Sequence, residues 1–308
     1  MKICFIAPGE IEIPPNGWGA LEGVVWDLSQ ELKKLGHNIL IINERDAHKT
    51  REIINSFQPD IIHLHYGCHY ELMPEFNCRK IVTSYDGTFI ASSRFHDQIT
   101  RRYFYDCDFF LLREYERDFF LNIGISPKRI KLLPLGVNSE LFKIKTELPT
   151  KYNKSIYLGK IDDRKRQYIF QNKDLSIDFV GPNASPKFDE KDPSYLGVWS
   201  QDEKYNNLTE YGNLVLLSVS ENGNPPLVCL EAMSAGLGIV ISETSNEMLD
   251  NNLKFITVIP EDKINDQDFL KKAIQENREY SVANRSEIIS YSKQRSWSGV
   301  AKLYNNYL

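Results

Sequence analysis

Residues 218–236 read Ser-Val-Ser-Glu-Asn-Gly-Asn-Pro-Pro-Leu-Val-Cys-Leu-Glu-Ala-Met-Ser-Ala-Gly. The apolar run Leu214–Leu217 just before them predicts a buried strand, and the Gly/Asn/Pro stretch predicts a loop. Leu227 then opens an amphipathic segment that stops near Gly236, so the order is strand, loop, helix. Pro226 suits a helix start, because the N–H that proline lacks would be unpaired there anyway. A helix N-terminus presents free N–H groups and the positive end of the helix dipole, which together favour a phosphate. Glu221 lies ahead of that terminus and Glu231 about one turn inside it. Acids at such a place are useful when they face hydroxyl groups, and a sugar nucleotide brings hydroxyls and phosphate together.

Outward from this segment, short apolar runs alternate with helix-length amphipathic ones. Predicted strands are Ile3–Ala7, Asn38–Ile42, Ile61–Leu64, Lys80–Thr83, Phe109–Leu112, Ile130–Pro134, Ile156–Leu158, Asp178–Val180, Leu214–Leu217 and Ile239–Ile241. Between the first two, Leu21, Val24, Val25, Leu28, Leu32 and Leu35 recur at helical spacing and Gly36 marks the stop. That rhythm implies βαβ units and a mostly parallel sheet. The polar stretch Lys143–Lys154, with Pro149, reads as a linker. The expected architecture is therefore α/β, with two doubly wound Rossmann-like domains facing across a cleft. Residues 1–148 form the first domain and 149–296 the second. Residues 297–308 read as a terminal helix able to cross back to the first. Ligands of such sheets bind beyond the carboxyl ends of the strands.

A chain of 308 residues has room for two cores, and 42% hydrophobic with 26% charged residues is ordinary for a globular protein. A net charge of −5 argues against a general nucleic-acid binder. No run approaches the roughly 20 apolar residues of a membrane span. The opening Met1–Ala7 is broken by Pro8-Gly9 and reads as a strand rather than a signal peptide. Cys4, Cys68, Cys78, Cys107 and Cys229 are odd in number and scattered, which fits reduced thiols and a cytoplasmic location. No set of residues has metal-ligand spacing.

Four further stretches carry the candidate chemistry. Gly17-Trp18-Gly19-Ala20-Leu21-Glu22-Gly23 superficially matches a dinucleotide fingerprint. The nine residues Pro8–Asn16 separate it from the first strand, whereas that fingerprint needs a tight turn there. Gly17 and Gly19 are read instead as a flexible lip whose backbone can approach an anion or a sugar, the alternative being a plain helix-entry turn. In Asp60-Ile61-Ile62-His63-Leu64-His65-Tyr66-Gly67, alternation sends both histidines to one face and leaves His65 at the strand end, able to bond a sugar hydroxyl or a phosphate. Tyr157 to Arg166 places four cations in seven residues after a strand. Lys160 and Lys165 are read as phosphate clamps, while Arg164 and Arg166 are expected to face water or pair with Asp162 and Asp163. Gly181, ending another strand, and Val198, in Tyr195-Leu196-Gly197-Val198-Trp199, could meet a ribose or a base, or be ordinary turns. Asp106-Cys107-Asp108 matches the D-x-D of metal-dependent transferases but is read as a loop detail.

Taken in this order and at these distances, the motifs resemble the retaining glycosyltransferases of family 4, which have the GT-B fold. The likeness covers nearly the whole chain. Gly17-Trp18-Gly19-Ala20-Leu21-Glu22 is similar to the family's glycine loop. Pro134-Leu135-Gly136-Val137-Asn138 with Phe142 is similar to its "P-x-G-V-D…F", Gly159-Lys160 with Lys165 to its "G-R-x-x-x-x-K", and Glu221–Gly236 to its paired-glutamate motif. The resemblance implies a hexosyltransferase that takes its sugar from a UDP- or GDP-linked donor held mainly by the second domain. The acceptor, a glycan or other hydroxyl compound, would be held mainly by the first. It implies no metal and no other cofactor, no nucleic acid, and at most peripheral membrane contact.

Carried over by position, Lys160 and Lys165 neutralise the diphosphate, Glu221 touches the sugar, Glu231 touches the ribose, and Leu227 and Val228 offer N–H groups. His65 would sit near the sugar and leaving phosphate. Departures are Ala20 for a glycine, Lys160 for an arginine with loss of bidentate geometry, and glutamates ten apart rather than eight. The last leaves Asn222 to Asn224, with Asn224 foremost, as an alternative sugar contact to Glu221. Two other readings stay open, an epimerase or hydrolase of sugar nucleotides and a non-catalytic nucleotide- or glycan-binding protein. The base, sugar, acceptor and oligomeric state are left open by the sequence.

Overall fold

The computed structural model describes residues 1–66, 68–83, 85, 106–114, 116–144, 147–221, 225–246 and 248–308. The chain divides into two compact units. One comprises Met1–Pro15, Gly19–Gly136 and Trp297–Leu308; the other comprises Asn16–Trp18 and Val137–Ser296.

The first unit is built on a six-stranded sheet. Its strands are β1 (Lys2–Ile6), β2 (Asn38–Ile42), β3 (Ile61–His65), β4 (Arg79–Thr83), β5 (Cys107–Leu111) and β6 (Ile130–Leu132), in the order β2-β1-β3-β4-β5-β6. Every pairing is parallel. Its helices among the described residues are α1 (Ala20–Lys34), α2 (Ala47–Phe57), α3 (Glu116–Asn122) and, from the chain end, α9 (Trp297–Tyr307). One face of the sheet packs Cys4, Ile6, Ile62, Leu64, Val82, Phe109 and Leu111 against Phe120 and Ile125. The residues alternating with them, Phe5, His63 and Phe110, meet Tyr304 of α9. Both faces are thus covered, as parallel sheets require. Burying each large apolar side chain contributes about 1.5–3 kcal/mol.

The second unit has five parallel strands: β7 (Lys151–Leu158), β8 (Ile177–Val180), β9 (Tyr211–Leu216), β10 (Gly238–Ser242) and β11 (Ile256–Ile259), in the order β11-β10-β9-β7-β8. Helices α4 (Gln167–Phe170), α5 (Gln201–Asn207), α6 (Leu227–Ser234), α7 (Gln267–Ala283) and α8 (Arg285–Ser292) connect or cover them. Buried Asn277 fastens α7 to the sheet: its amide donates to the Ile239 and Phe255 carbonyls and to Thr257, and its oxygen accepts from Asn213. β7 begins at Lys151, inside the stretch expected to be linker. Lys151 and Lys154 there reach the buried Asp178 carboxylate at 3.4 and 2.7 Å, which explains charged residues inside a strand. No helix among the described residues is long and apolar enough to cross a membrane.

In each sheet the strand order fixes a place where successive connections leave in opposite directions. That place lies between β1 and β3 in the first unit and between β7 and β9 in the second, and ligands favour the carboxyl ends of strands at such points.

Candidate functional site

Beyond β7, Asp162 shapes the chain. Its side chain and carbonyl both accept from the Lys165 N–H, at 2.8 and 3.1 Å, and its carbonyl accepts from the Arg166 N–H at 3.0 Å. The turn closes with Arg166 at φ +59°, in the left-handed region. It aims Lys165 back toward the strand end, so that a Cβ on Gly159 would lie 3.4 Å from Nζ. Lys165 is buried, with 8% of its surface exposed.

From the end of β9 comes its partner. Lys165 Nζ donates to Glu221 Oε1 at 2.6 Å, Ser218 Oγ donates to the same oxygen at 2.6 Å, and Arg164 Nη1 lies 3.2 Å from Oε2. Burial acts to raise the Glu221 pKa. The Lys165 and Arg164 cations, with hydrogen bonds from Lys165 and Ser218, outweigh it and hold the carboxyl below its ordinary value. Two of the sequence-predicted residues, Lys165 and Glu221, are therefore brought together at the β7/β9 switch point. Lys160, at the start of the turn, is exposed and makes no ion pair with the described residues. Its carbonyl accepts from Gln167 Nε2 at 3.0 Å.

Arg164 and Arg166 do not pair with Asp162 and Asp163. Arg164 turns to Glu221 and the Ser220 carbonyl. Arg166 donates to the Leu217 and Ser218 carbonyls at 2.9 and 2.8 Å and binds Glu261 through both terminal nitrogens. Asp163 instead holds Lys187 and Ser185. The Ser218 carbonyl also accepts from Ser242, Thr244 and Ser245 at 2.5, 3.2 and 3.1 Å. Four donors thus pin the segment that carries Glu221, and sequence reasoning singled out none of them for this task. The only visible signal was a Ser/Thr cluster after a strand.

Helix α6 opens at Leu227 with Pro226 before it and no side-chain cap. Leu227 and Val228 are half-buried in its first turn, and Gly236 follows its end at φ +80°. Glu231 is held by Lys204 of α5, Nζ to Oε1 2.5 Å, with both side chains largely buried. Lys204, whose ammonium also lies 5.0 Å from the centre of the Tyr205 ring, was missed because it is far from Glu231 in sequence. Asn224 lies outside the described residues.

The glycines have local reasons. Gly181 stands at φ +143°, and a Cβ there would fall 2.1 Å from the Gly159 carbonyl oxygen, so the close approach is made by the chain itself. A Cβ on Gly17 would come within 2.7 Å of the Trp199 carbonyl, and the Gly17 carbonyl accepts from Gln201 at 2.9 Å. Gly19, at φ +127°, sits beside Pro15, Ile11 and Glu22 at the entry to α1. Val198 is 48% exposed, just after Gly197 and beside the end of β8, where Tyr195 donates to the Gly181 carbonyl at 3.0 Å. Asp106 and Asp108 pair with Arg129 and Arg79.

His65 ends β3 in the first unit, at the β1/β3 switch point, and is fully buried. Its Nδ1 lies 2.6 Å from the Tyr85 hydroxyl, and Nε2 has no partner among the described residues. Burial brings its pKa down to about 3, so the ring is neutral at pH 7. His63, on the same face, is also buried and its pKa is lowered, chiefly by burial and then by His65.

No protein-family model matches this sequence, and no curated protein sequence matches it. Solved structures do. The sucrose-phosphate synthase of Thermosynechococcus elongatus is similar over 99% of this chain and 97% of its own, with TM-score 0.69 at 14% identity. HepE of Anabaena, solved with UDP and glucose, is similar over 99% and 98%, with TM-score 0.69 at 12% identity. WaaG, a glycosyltransferase involved in lipopolysaccharide biosynthesis, is similar over 98% of both chains, with TM-score 0.68 at 14% identity. At these identities the likeness establishes the fold, which is GT-B.

Proposed function

We propose that this chain is a retaining glycosyltransferase that moves a hexose from a UDP- or GDP-linked sugar to a hydroxyl of a glycan or other acceptor, without a metal. The observation that carries the reading is the ammonium of Lys165, buried beside Gly159 at the β7/β9 switch point and facing Glu221 at 2.6 Å. A buried cation at the carboxyl end of a parallel sheet, with an uncapped helix opening at Leu227 in the same unit, suits a diphosphate. HepE, of the same fold, was solved with UDP and with UDP-glucose, which supports a nucleotide-sugar donor.

In this reading Lys165 and Lys160 neutralise the charge that grows on the departing diphosphate, and the first N–H groups of α6 donate hydrogen bonds to its oxygens. Such fixed charges and dipoles act most strongly where water is excluded. Glu221 keeps the Lys165 ammonium in place until the donor arrives and then orients sugar hydroxyls, while Glu231, aligned by Lys204, meets the ribose. The acceptor hydroxyl attacks the anomeric carbon on the face that the diphosphate leaves and passes its proton to a departing phosphate oxygen. No carboxylate becomes a covalent nucleophile, unlike the paired acids of retaining glycosidases. The work of the protein is a cytoplasmic glycan-building step.

Calorimetric titration with UDP, GDP, ADP and TDP, followed by product analysis with the sugar nucleotide of whichever base binds, tests this. The expected result is tight binding of UDP or GDP and an acceptor-dependent glycoside with the donor's anomeric configuration. A free sugar with an altered configuration and no need for an acceptor would point to an epimerase or hydrolase. Tight binding of no nucleotide would refute the proposal.

A further inference from the structure

Hydrogen bonds close a ring round the pair of Lys165 and Glu221. Lys165 Nζ and Ser218 Oγ both donate to Glu221 Oε1, at 2.6 Å each. The Ser218 carbonyl accepts from Arg166 Nη2 at 2.8 Å, and a peptide bond joins Arg166 to Lys165. Arg166 Nε also donates to the Leu217 carbonyl at 2.9 Å, so one guanidinium spans two successive carbonyls of the chain leaving β9. The buried Tyr157 hydroxyl, from β7, donates to the Lys165 carbonyl at 2.5 Å and lies 3.3 Å from Ser218 Oγ. The turn after β7 fixes the ammonium, the end of β9 fixes the carboxylate, and the Arg166 side chain ties the two together.

Arg166 is an unexpected residue for its place. Its φ of +59° lies where L-residues are strained and glycine is at ease. A residue kept in such a conformation by its surroundings points to a task for its side chain. The rest of the guanidinium meets Glu261 in a two-bond pair, Nη1 to Oε2 at 2.8 Å and Nη2 to Oε1 at 3.0 Å. Hydrogen bonding to Arg166 is the main reason the Glu261 carboxyl is held below its ordinary value. The pair cancels its own charge, so Arg166 offers a phosphate little extra attraction. What it adds is geometry: a lysine ammonium is a point donor and cannot span two carbonyls and a carboxylate at once.

We infer that Arg166 is a positioning residue for the transfer reaction: by tying the turn after β7 to the end of β9, it holds the Lys165 ammonium and the Glu221 carboxylate at the separation that the departing diphosphate requires. The inference rests on the glycosyltransferase reading for this consequence. In that reading negative charge on the diphosphate grows as the sugar leaves, so a displaced Lys165 costs more in the transition state than in the bound donor. A misplacement of about 1 Å in such a site costs about a hundredfold in rate.

Two variants of the full chain test it. Arg166→Gly suits the left-handed backbone and removes only the side chain, while Arg166→Lys keeps a positive charge. With the sugar nucleotide that the wild type uses, kcat is expected to fall about tenfold to a hundredfold in both. KM should stay within about threefold, the split that marks an interaction made chiefly in the transition state. Carbon-13 carboxyl spectra of protein labelled at its glutamates need no donor, and Glu221→Gln assigns the signal. Glu221 should titrate below the ordinary carboxyl value in the wild type. In Arg166→Gly it should titrate higher, because Lys165 and Ser218 are no longer held against it and burial takes over. Wild-type kcat in either folded variant would overturn the inference, and so would a Glu221 titration unchanged in Arg166→Gly. Failure of the glycosyltransferase reading would look different: no nucleotide would bind, yet the Glu221 signal would still move in Arg166→Gly.

Discussion

The contact between Lys165 and Glu221 gives the account its most quantitative consequence. Both side chains are about nine-tenths buried, at 10% exposure each, and their charged atoms are 2.6 Å apart. At an effective dielectric of about 20 this separation is worth roughly 6 kcal/mol of attraction. Removing the two ions from water takes back several kcal/mol of that. Lys165→Met keeps most of the stem and removes the charge. Losing one partner of a buried pair generally costs about 3–5 kcal/mol because the other is left uncompensated. Here Arg164 at 3.2 Å and Ser218 at 2.6 Å still hold Glu221, so we expect a loss of about 1–3 kcal/mol. Glu221→Gln alone should cost a similar amount. The double variant should cost less than the sum of the two by about 1–2 kcal/mol. The chain has two units, so a single unfolding curve would mix them. Hydrogen exchange of the β7 and β9 amides in increasing urea isolates the second unit. Additive single-variant effects, to within about 0.5 kcal/mol, would show that the pair is not energetically coupled and refute the reasoning.

Three other outcomes are expected. Gly181→Ala should prevent folding of the second unit or cost more than about 3 kcal/mol, since its Cβ would strike the Gly159 carbonyl oxygen. Gly197→Ala, at φ +76° with open space around it, should cost only about 1 kcal/mol, and equal thermal shifts for the two would contradict the geometry. His63 and His65 have folded-state pKa values depressed below the ordinary 6.5. The unfolded chain therefore gains protons below pH 6.5 that the folded one refuses. The stability of the first unit should be level above that pH and fall below it, by up to about 1.4 kcal/mol per pH unit for each histidine. Denaturation midpoints that stay constant from pH 7 to pH 5 would contradict this.

Much of the fold was legible because periodicity reports burial. β1, β3 and β9 are apolar runs, and α1 repeats its apolar residues at helical spacing, so the alternation of strand and helix could be read without tertiary information. β7 was shortened in that reading because Lys151 and Lys154 look like linker residues until Asp178, on a neighbouring strand, is known to receive them. β11 was not read at all; Ile256–Ile259 spans only four residues, too few to show a period clearly. Within the site, the charged turn after β7 was visible as composition. Which cation meets which acid depended on a left-handed arginine at 166, a conformation that arginine gives no hint of adopting. Lys204 beside Glu231 and the four donors on the Ser218 carbonyl arise only from tertiary contact. The alternation that put His63 and His65 on one face was sound. Their complete burial followed from covering both faces of a parallel sheet.

The central claim, that a nucleoside diphosphate is held in the second unit at the β7/β9 switch point, is tested most directly by a crystal structure of the protein with UDP or GDP, whichever binds. The account predicts diphosphate oxygens within hydrogen-bonding distance of Lys165 Nζ and of the Leu227 and Val228 N–H groups, with Glu221 drawn off the lysine. A nucleotide bound elsewhere, with the Lys165–Glu221 pair still closed, would contradict it.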